Sequence, residues 1–580
     1  MNCPSRVDPD VSDGWNQSPN ALNADATTTA DLANVSNTRT YRNHRIDPAD
    51  RCVNEIESSK RFATDGDGSF KMKALDNQGK IKVNASRDSP GDAAGIMFVN
   101  ASSGSGGRCS NLQRFLKRPL RVLQKYASFI GPGFMVAVAY IDPGNYATDV
   151  AAGASFRFKL LFIVLMSNIF AIFLQSLCIK LGSVTGLNLA ENCKANLPPW
   201  LNYTLYFFAE SAIIATDIAE VIGTAIALNI LLKIPLVAGC ALSIVDVLII
   251  LIFYRPSGTM RMLRAFEFFV MLLVLGVVVC FCFELSKIKA PIGEVFRGYV
   301  PSSTLIQGQA LYQSCGILGA TVMPHSLYLG SGIVQPRLRE FDEAHDTTEI
   351  LEIDSITEEI KYKPSLSAIQ SCMKYSIVEL AIALFTFALF VNSAILIVAG
   401  ASLYGHPEAE DADLFSIHAL LSRSIAPVAG TLFALALLLS GTSAGIVCTI
   451  SGQIVSEGQL NWTIKPWLRR LITRLISITP SIIIAGAVGR EGLGKALQGS
   501  QVALSVILPF VSAPLIWFTC WGKYMKVAVR ESAELEGREA REPFVQMRNH
   551  WVTTVVALVI WGIIVVMNVA LLVLVGLGVA

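Results

Sequence analysis

Residues 131–149 read GPGFMVAVAYIDPGNYATD, an apolar helix-forming run cut by Asp142-Pro143-Gly144-Asn145. Proline removes a backbone donor and glycine loosens a helix, so the sequence predicts that the chain unwinds at these four residues. The surrounding composition sets the medium in which it does so. The 580-residue chain is 52% hydrophobic and only 16% charged, with a mean hydropathy of +0.49. A soluble protein carries about 25% charged residues, so most of this chain faces something other than water. Unwinding in lipid is tolerated only where protein or a water-filled cavity covers the freed backbone groups. An Asp beside the break is costly in hydrocarbon and marks an ion or substrate path.

Working outward, residues 316–332 repeat the pattern as GILGATVMPHSLYLGSG, with Met323-Pro324-His325 breaking a second apolar stretch. Runs with few or no charges recur at 126–141, 161–179, 201–230, 235–253, 268–283, 300–323, 375–400, 425–455, 475–489, 496–522 and 551–580. A helix needs about 20 apolar residues to cross the hydrocarbon core, and the shorter runs gain length from their flanks. The expected fold is therefore an all-α polytopic membrane protein of eleven spans. Its broken first and sixth helices lie five spans apart, as inverted repeats of spans 1–5 and 6–10 require. A substrate site is expected between the breaks, near the midplane.

Residues 1–112 are rich in Ser, Asn, Asp, Thr and Gly and hold five aromatics. They cannot bury enough apolar surface to offset their ordering entropy, and read as a disordered tail before a transporter domain over 113–580. Lys and Arg set the orientation. Arg114, Lys117, Arg118, Arg121 and Lys125 precede the first span, and the dense groups at 255–264, 337–339, 465–474 and 523–548 lie on that same side. The opposite loops are sparser, which puts the N-terminus in the cytosol and the C-terminus across the membrane. Composition suits plasma, endosomal and vacuolar membranes alike. The net charge of +2 provides no basic field for nucleic acid. The twelve cysteines lack CxxC spacing and read as small buried hydrophobes. The acidic segment after span six, from Glu340 and Asp342 to Glu359, reads as a solvated loop.

The breaks carry distinctive chemistry. Freed carbonyls, the Asp142 carboxylate and the Asn145 amide oxygen are hard ligands, and Met323 adds a soft sulfur. Late first-row metals and cadmium gain from a thioether, whereas Ca²⁺ and Mg²⁺ gain little. The set points to Mn²⁺, Fe²⁺, Co²⁺ or Cd²⁺. Residues two apart on a helix face nearly opposite ways, so His325 is expected outside the sphere of Met323, either as a proton relay or as a satisfied core histidine. In the third span, LYFFAESAIIATDIAEVIGTAIALNI (205–230) sets Glu210, Asp217 and Glu220 on one face. These read as a proton path or as ion-pair partners for Arg337, Arg469, Arg470 or Arg474.

DPGN in span one, TVMPHSLYL in span six and ATDIAEVIGTAIALN in span three together resemble the Nramp (natural resistance-associated macrophage protein) family of divalent-metal transporters. The likeness runs from about 125 to 575, and MPHSLYLGSG most resembles fungal members. It implies a LeuT-like fold and proton-coupled movement of Mn²⁺ or Fe²⁺ as cargo, with no resident cofactor. By match to the motifs, the ligands are Asp142, Asn145 and Met323, backbone carbonyls of Ala139 and Ala320, and Gln501 of GSQVALS. His325, Glu210, Asp217, Glu220 and Arg337 match residues implicated in proton movement. One departure is Gly330, where many members have a second histidine.

Rival readings change the cargo or the task. A symporter of an organic solute would use half-helix N-termini to hold a carboxylate and would not need an acid with a thioether. A metal-sensing receptor would need a folded soluble domain, and none follows span eleven. An intramembrane hydrolase lacks a Ser/His/Asp or His-Glu-x-x-His set.

Overall fold

Proline placement shapes the first span. In the computed structural model, which describes residues 131–252, 260–345, 350–353, 360–405, 414–460, 466–487, 489–528 and 544–578, this span forms two half-helices. They are α1 (Pro132–Val138) and α2 (Pro143–Phe156). Steric clash with a proline ring drives the preceding residue out of the helical region. Asp142 accordingly sits at φ −115°, ψ 167° and caps α2 by accepting a hydrogen bond from Asn145 N. The disordered tail expected over 1–112, and its boundary, lie outside the described residues.

The helices that follow are α3 (Leu161–Thr185), α4 (Leu189–Asn196), α5 (Pro199–Leu232), α6 (Leu236–Ile252), α7 (Met260–Lys287) and α8 (Ile292–Gly298). Span six repeats the broken plan as α9 (Gly308–Thr321) and α10 (Pro324–Gly332), and runs on into α11 (Gln335–Ala344). Met323, before Pro324, is extended at φ −68°, ψ 126° and occupies the N-cap of α10. A two-stranded hairpin, β1 (Ile350–Ile353) with β2 (Ile360–Lys363), leads to span seven. That span is α12 (Leu366–Ala383), a π-helical turn at Leu384–Ala388 and α13 (Leu389–Ser402). Then come α14 (Leu414–Ser424), α15 (Pro427–Leu460), α16 (Pro466–Ala487), α17 (Gly489–Cys520), the hairpin β3 (Lys526–Ala528) with β4 (Phe544–Gln546), and α18 (Trp551–Gly576).

Among the described residues, eight helical runs are long and apolar enough to cross a membrane. The broken first span, the 17-residue α6 and α16 are the other three of the eleven expected. The run read at 126–141 extends through the break to Phe156, and the sixth-span helix starts at Gly308, after a 3₁₀ turn at Ser303–Ile306. Helix α5 packs along α15 and α17, and α2 lies on α13, so both breaks are enclosed by other helices. Buried Asn392 Nδ2 donates to Tyr140 O at 3.1 Å and Ser440 Oγ donates to Ile141 O at 2.7 Å. These bonds replace the helical partners lost at the break, which is the condition for unwinding within an apolar bundle.

The acidic segment after span six departs from the solvated loop expected of it. Asp342 is buried, and its carboxylate accepts from Ser365 N, Ser365 Oγ and Tyr362 OH at 3.0, 2.5 and 2.5 Å. Ser365 is the N-cap of α12, so this acid fixes the start of span seven, while Glu340 pairs with Arg264 at 2.7 Å. Residues 346–349 and 354–359 lie outside the described residues.

Candidate metal site and buried acid network

The two prolines determine which carbonyls are left without a helical donor. In an α-helix a carbonyl accepts from the N–H four residues on. Pro143 cannot serve Ala139, and Pro324 cannot serve Ala320. The residue before each proline, Asp142 or Met323, is pushed into the extended region at the same point. Each break therefore offers one freed alanine carbonyl and one non-helical side chain, a carboxylate in the first and a thioether in the second.

Side chains tie the breaks together. Asn145 Nδ2 reaches Asp142 Oδ1 at 2.7 Å, Tyr140 O at 3.1 Å and, across to span six, Ala320 O at 3.3 Å. Gln501, on α17, lies so close to Gly144 that a Cβ there would sit 2.3 Å from its amide carbon. Gly223 of α5 meets the Pro143 ring in the same way, 2.2 Å from its Cβ. Asp142 Oδ2, Asn145 Oδ1 and Gln501 Oε1 are buried and have no hydrogen-bond partner. Buried polar atoms are nearly always paired, so three orphan oxygens around one break are a strong mark of a cation site. Met323 is fully buried at the span-six break, three residues after Ala320, whose carbonyl Asn145 reaches.

His325 is buried in the first turn of α10, and its Nδ1 lies 3.3 Å from Thr216 Oγ1 on α5. Thr216 donates its own proton to Ala212 O at 3.0 Å. The Nδ1–H tautomer satisfies both contacts of Thr216, and it leaves Nε2 as an acceptor. The 100°-per-residue argument that separated Met323 from His325 does not apply, because Met323 is outside the helix. Next along α5, Asp217 and Glu220 both bind Arg474 Nη1 of α16, Glu220 at 3.3 Å, with all three buried. Cys448 lies within the same cluster. Glu210 is two turns away, half-buried, with Oε2 unpaired. The side chains of Arg469 and Arg470 lie outside the description.

Arg337 is elsewhere. It bonds Glu267 at 2.7 Å, not the acids of span three. Nearby, Glu379 accepts from Gly131 N and Gly133 N at 3.0 and 2.8 Å, clasping the start of α1. A Cβ on Gly131 would fall 2.0 Å from Glu267 and 3.0 Å from Arg337. The group therefore holds the end of span one that precedes the break.

A family model described as natural resistance-associated macrophage protein-like matches residues 133–534. The chain belongs to the Nramp family. Similar proteins include the manganese transporter SMF1 of Saccharomyces cerevisiae, 53% identical over 79% of this chain and 87% of that one. The iron transporter SMF3 of the same yeast is 56% identical over 70% and 85%. The manganese transporter pdt1 of Schizosaccharomyces pombe is 50% identical over 81% and 89%. Among solved structures, a manganese transporter of Eremococcus coleocola, bound to an aromatic bis-isothiourea compound, is 30% identical. It covers 77% of this chain and 86% of its own, with a TM-score of 0.63. This Nramp protein is accordingly a multi-pass integral membrane protein.

Its Gly330 has a structural counterpart. A Cβ there would lie 1.9 Å from Gln175 Oε1, while Gln175 Nε2 donates to Tyr140 OH at 2.9 Å and to Ser326 O at 3.0 Å. An amide therefore fills the space beside residue 330. Sequence reading also passed over Asp149 and Glu284, each fully buried with both carboxylate oxygens unpaired. The available signal was an acid inside or at the edge of an apolar run.

Proposed function

We propose that this protein carries divalent transition-metal ions, Mn²⁺ and Fe²⁺ foremost with Co²⁺ and Cd²⁺ accepted, toward the cytosol in company with protons. The observation that carries this reading is the set of orphan oxygens on Asp142, Asn145 and Gln501, with Asn145 reaching across to Ala320 O at the break that Met323 caps. One carboxylate, neutral oxygens and one thioether suit a late first-row dication better than Ca²⁺ or Mg²⁺, which prefer all-oxygen shells. An organic-solute symporter has no use for that sulfur. The names of the fungal relatives agree with metal as the cargo.

The proton route is assigned to His325 and the acids of span three. The imidazole meets Thr216, the residue before Asp217, and Asp217 with Glu220 set two carboxylates against one guanidinium. A bound proton balances that surplus charge, and its release gives the cluster a way to couple to metal at Asp142. Arg337 is kept on the proton route by its motif match, and its pair with Glu267 places it at the start of α1. The orientation adopted has the N-terminus in the cytosol, in a plasma, endosomal or vacuolar membrane. The test is uptake of Mn²⁺, Fe²⁺ and Ca²⁺ into proteoliposomes with and without an inward proton gradient. Mn²⁺ and Fe²⁺ should enter faster with the gradient and Ca²⁺ should be left behind; gradient-independent entry of all three would defeat the proposal.

A further inference from the structure

Where α17 ends and α18 begins, the bundle carries a groove that none of the proposed metal ligands or proton-route residues lines. A cavity of about 830 Å³ runs between α5, α17 and α18. Leu201, Phe208, Phe510, Pro514, Trp561 and Leu572 are among its walls, and among the described residues no charged side chain lines it. Along α17 it extends from Val506 to Trp517. Eleven residue steps at 1.5 Å make about 16 Å, close to half of a hydrocarbon core roughly 30 Å thick. The groove thus has the depth of one leaflet.

It opens into a second cavity of about 620 Å³, and the two share Ala513, Trp517 and Trp561. Here the chemistry reverses. Lys523, Lys526 and Arg548 line it with Trp517 and Trp521, and among the described residues no Asp or Glu does. The cations sit on a built scaffold. Met547 N donates to Met525 O at 2.9 Å and Asn549 N to Thr519 O at 3.0 Å, which pins the backbone on both sides of Arg548. Lys526 is registered against Gln546 in the β3–β4 pair, and Lys180 Nζ donates to Asn549 Oδ1 at 2.8 Å. Trp517 and Trp521 are half-exposed and in ring contact at 4.3 Å, as aromatic side chains at a headgroup boundary are.

We propose that this groove binds one anionic phospholipid, with its acyl chains between α5, α17 and α18 and its phosphate against Lys523, Lys526 and Arg548. An apolar slot one leaflet deep that ends in three cations matches both halves of such a molecule. A free anion would not need the slot, and a zwitterionic lipid would not need the cations. The leaflet is the cytosolic one under the orientation proposed above. Binding itself depends neither on that orientation nor on transport.

The test uses full-length protein, stripped of lipid and returned to nanodiscs of phosphatidylcholine with a minor share of phosphatidylserine; retained lipid is counted by native mass spectrometry. The parent should keep phosphatidylserine in preference, and soluble glycerophosphoserine should not displace it. At about fivefold per basic side chain, Lys523→Gln/Lys526→Gln/Arg548→Gln should lower that preference roughly 100-fold. Ala513→Trp, which plugs the junction, should lose the retained lipid with the cations intact, whereas Lys287→Gln/Lys289→Gln at the opposite end should change nothing. Should the triple variant not fold, high salt applied to the parent should erode the preference in the same direction. Equal retention of both lipids by the parent, an unchanged preference without the cations, or displacement by glycerophosphoserine would overturn the proposal. Metal flux plays no part in the readout, so a failure here stands apart from a failure of the transport reading.

Discussion

Replacing Asp217 by Asn should cost the protein little stability, while replacing its partner Arg474 by Met should cost it far more. Arg474 is buried between Asp217 and Glu220 and is the guanidinium that both carboxylates contact. Taking it away strands two acids in an apolar bundle, and breaking a buried pair of this kind costs about 3–5 kcal/mol. Asp217→Asn differs in kind, because the remaining Glu220–Arg474 pair is matched one to one. The lost charge-assisted hydrogen bond is worth about 1.5–3 kcal/mol, and removal of the surplus negative charge offsets part of that. The net cost should stay near 1–2 kcal/mol by the same reasoning. Heating the detergent-purified variants and following the monodisperse fraction checks the order. The coupling claim is checked by recording Mn²⁺ uptake and internal acidification in the same vesicles. Asp217→Asn, Glu220→Gln and His325→Ala should each bind Mn²⁺ yet move fewer protons per metal. If Asp217→Asn melts as readily as Arg474→Met, the cluster is structural alone; if all three variants keep the parent's proton-to-metal ratio, the relay is wrong.

Other outcomes follow from the same geometry. Met323→Ala should weaken Cd²⁺ transport most while Ca²⁺ and Mg²⁺ compete better than before, since neither gained from sulfur; an unchanged Cd²⁺/Ca²⁺ preference in competition uptake would mean that Met323 only packs. Gly223→Ala drives a methyl to within 2.2 Å of the Pro143 ring and should cost about 1–3 kcal/mol as overpacking, with Mn²⁺ affinity falling in step; a variant of parental stability and affinity would show that α5 does not brace the break. Gly330→Ala meets Gln175 at 1.9 Å, so its loss of stability should shrink when Gln175→Ala is added, a non-additivity that a double-mutant cycle reads directly.

Proline and glycine act locally, which is why both breaks were legible from residues 131–149 and 316–332 alone. The same locality made Asp142, Asn145 and Met323 stand out. Pairings across the bundle were not legible in this way. Arg474 was one of four arginines that could have met the span-three acids, and 257 residues separate it from Asp217. Arg337 goes instead to Glu267, which lies just outside an apolar run and drew no notice. Asp342 looked like one acid among many in a solvated loop, yet the start of α12 folds back onto it. The helical-wheel separation of Met323 from His325 assumed a continuous helix across a proline that interrupts it. For the three pairings the missing information was tertiary contact; for the wheel it was the local backbone state that Pro324 imposes on Met323.

The central claim is that the two breaks hold the metal through the Asp142 carboxylate. Its most direct test is Mn²⁺ uptake by proteoliposomes containing Asp142→Ala, with folding verified by a monodisperse elution profile. This substitution removes the sole formal negative charge among the proposed ligands, so uptake should fall to the level of empty vesicles, with the protein still folded. Uptake at the parental rate by the well-folded variant would contradict the account.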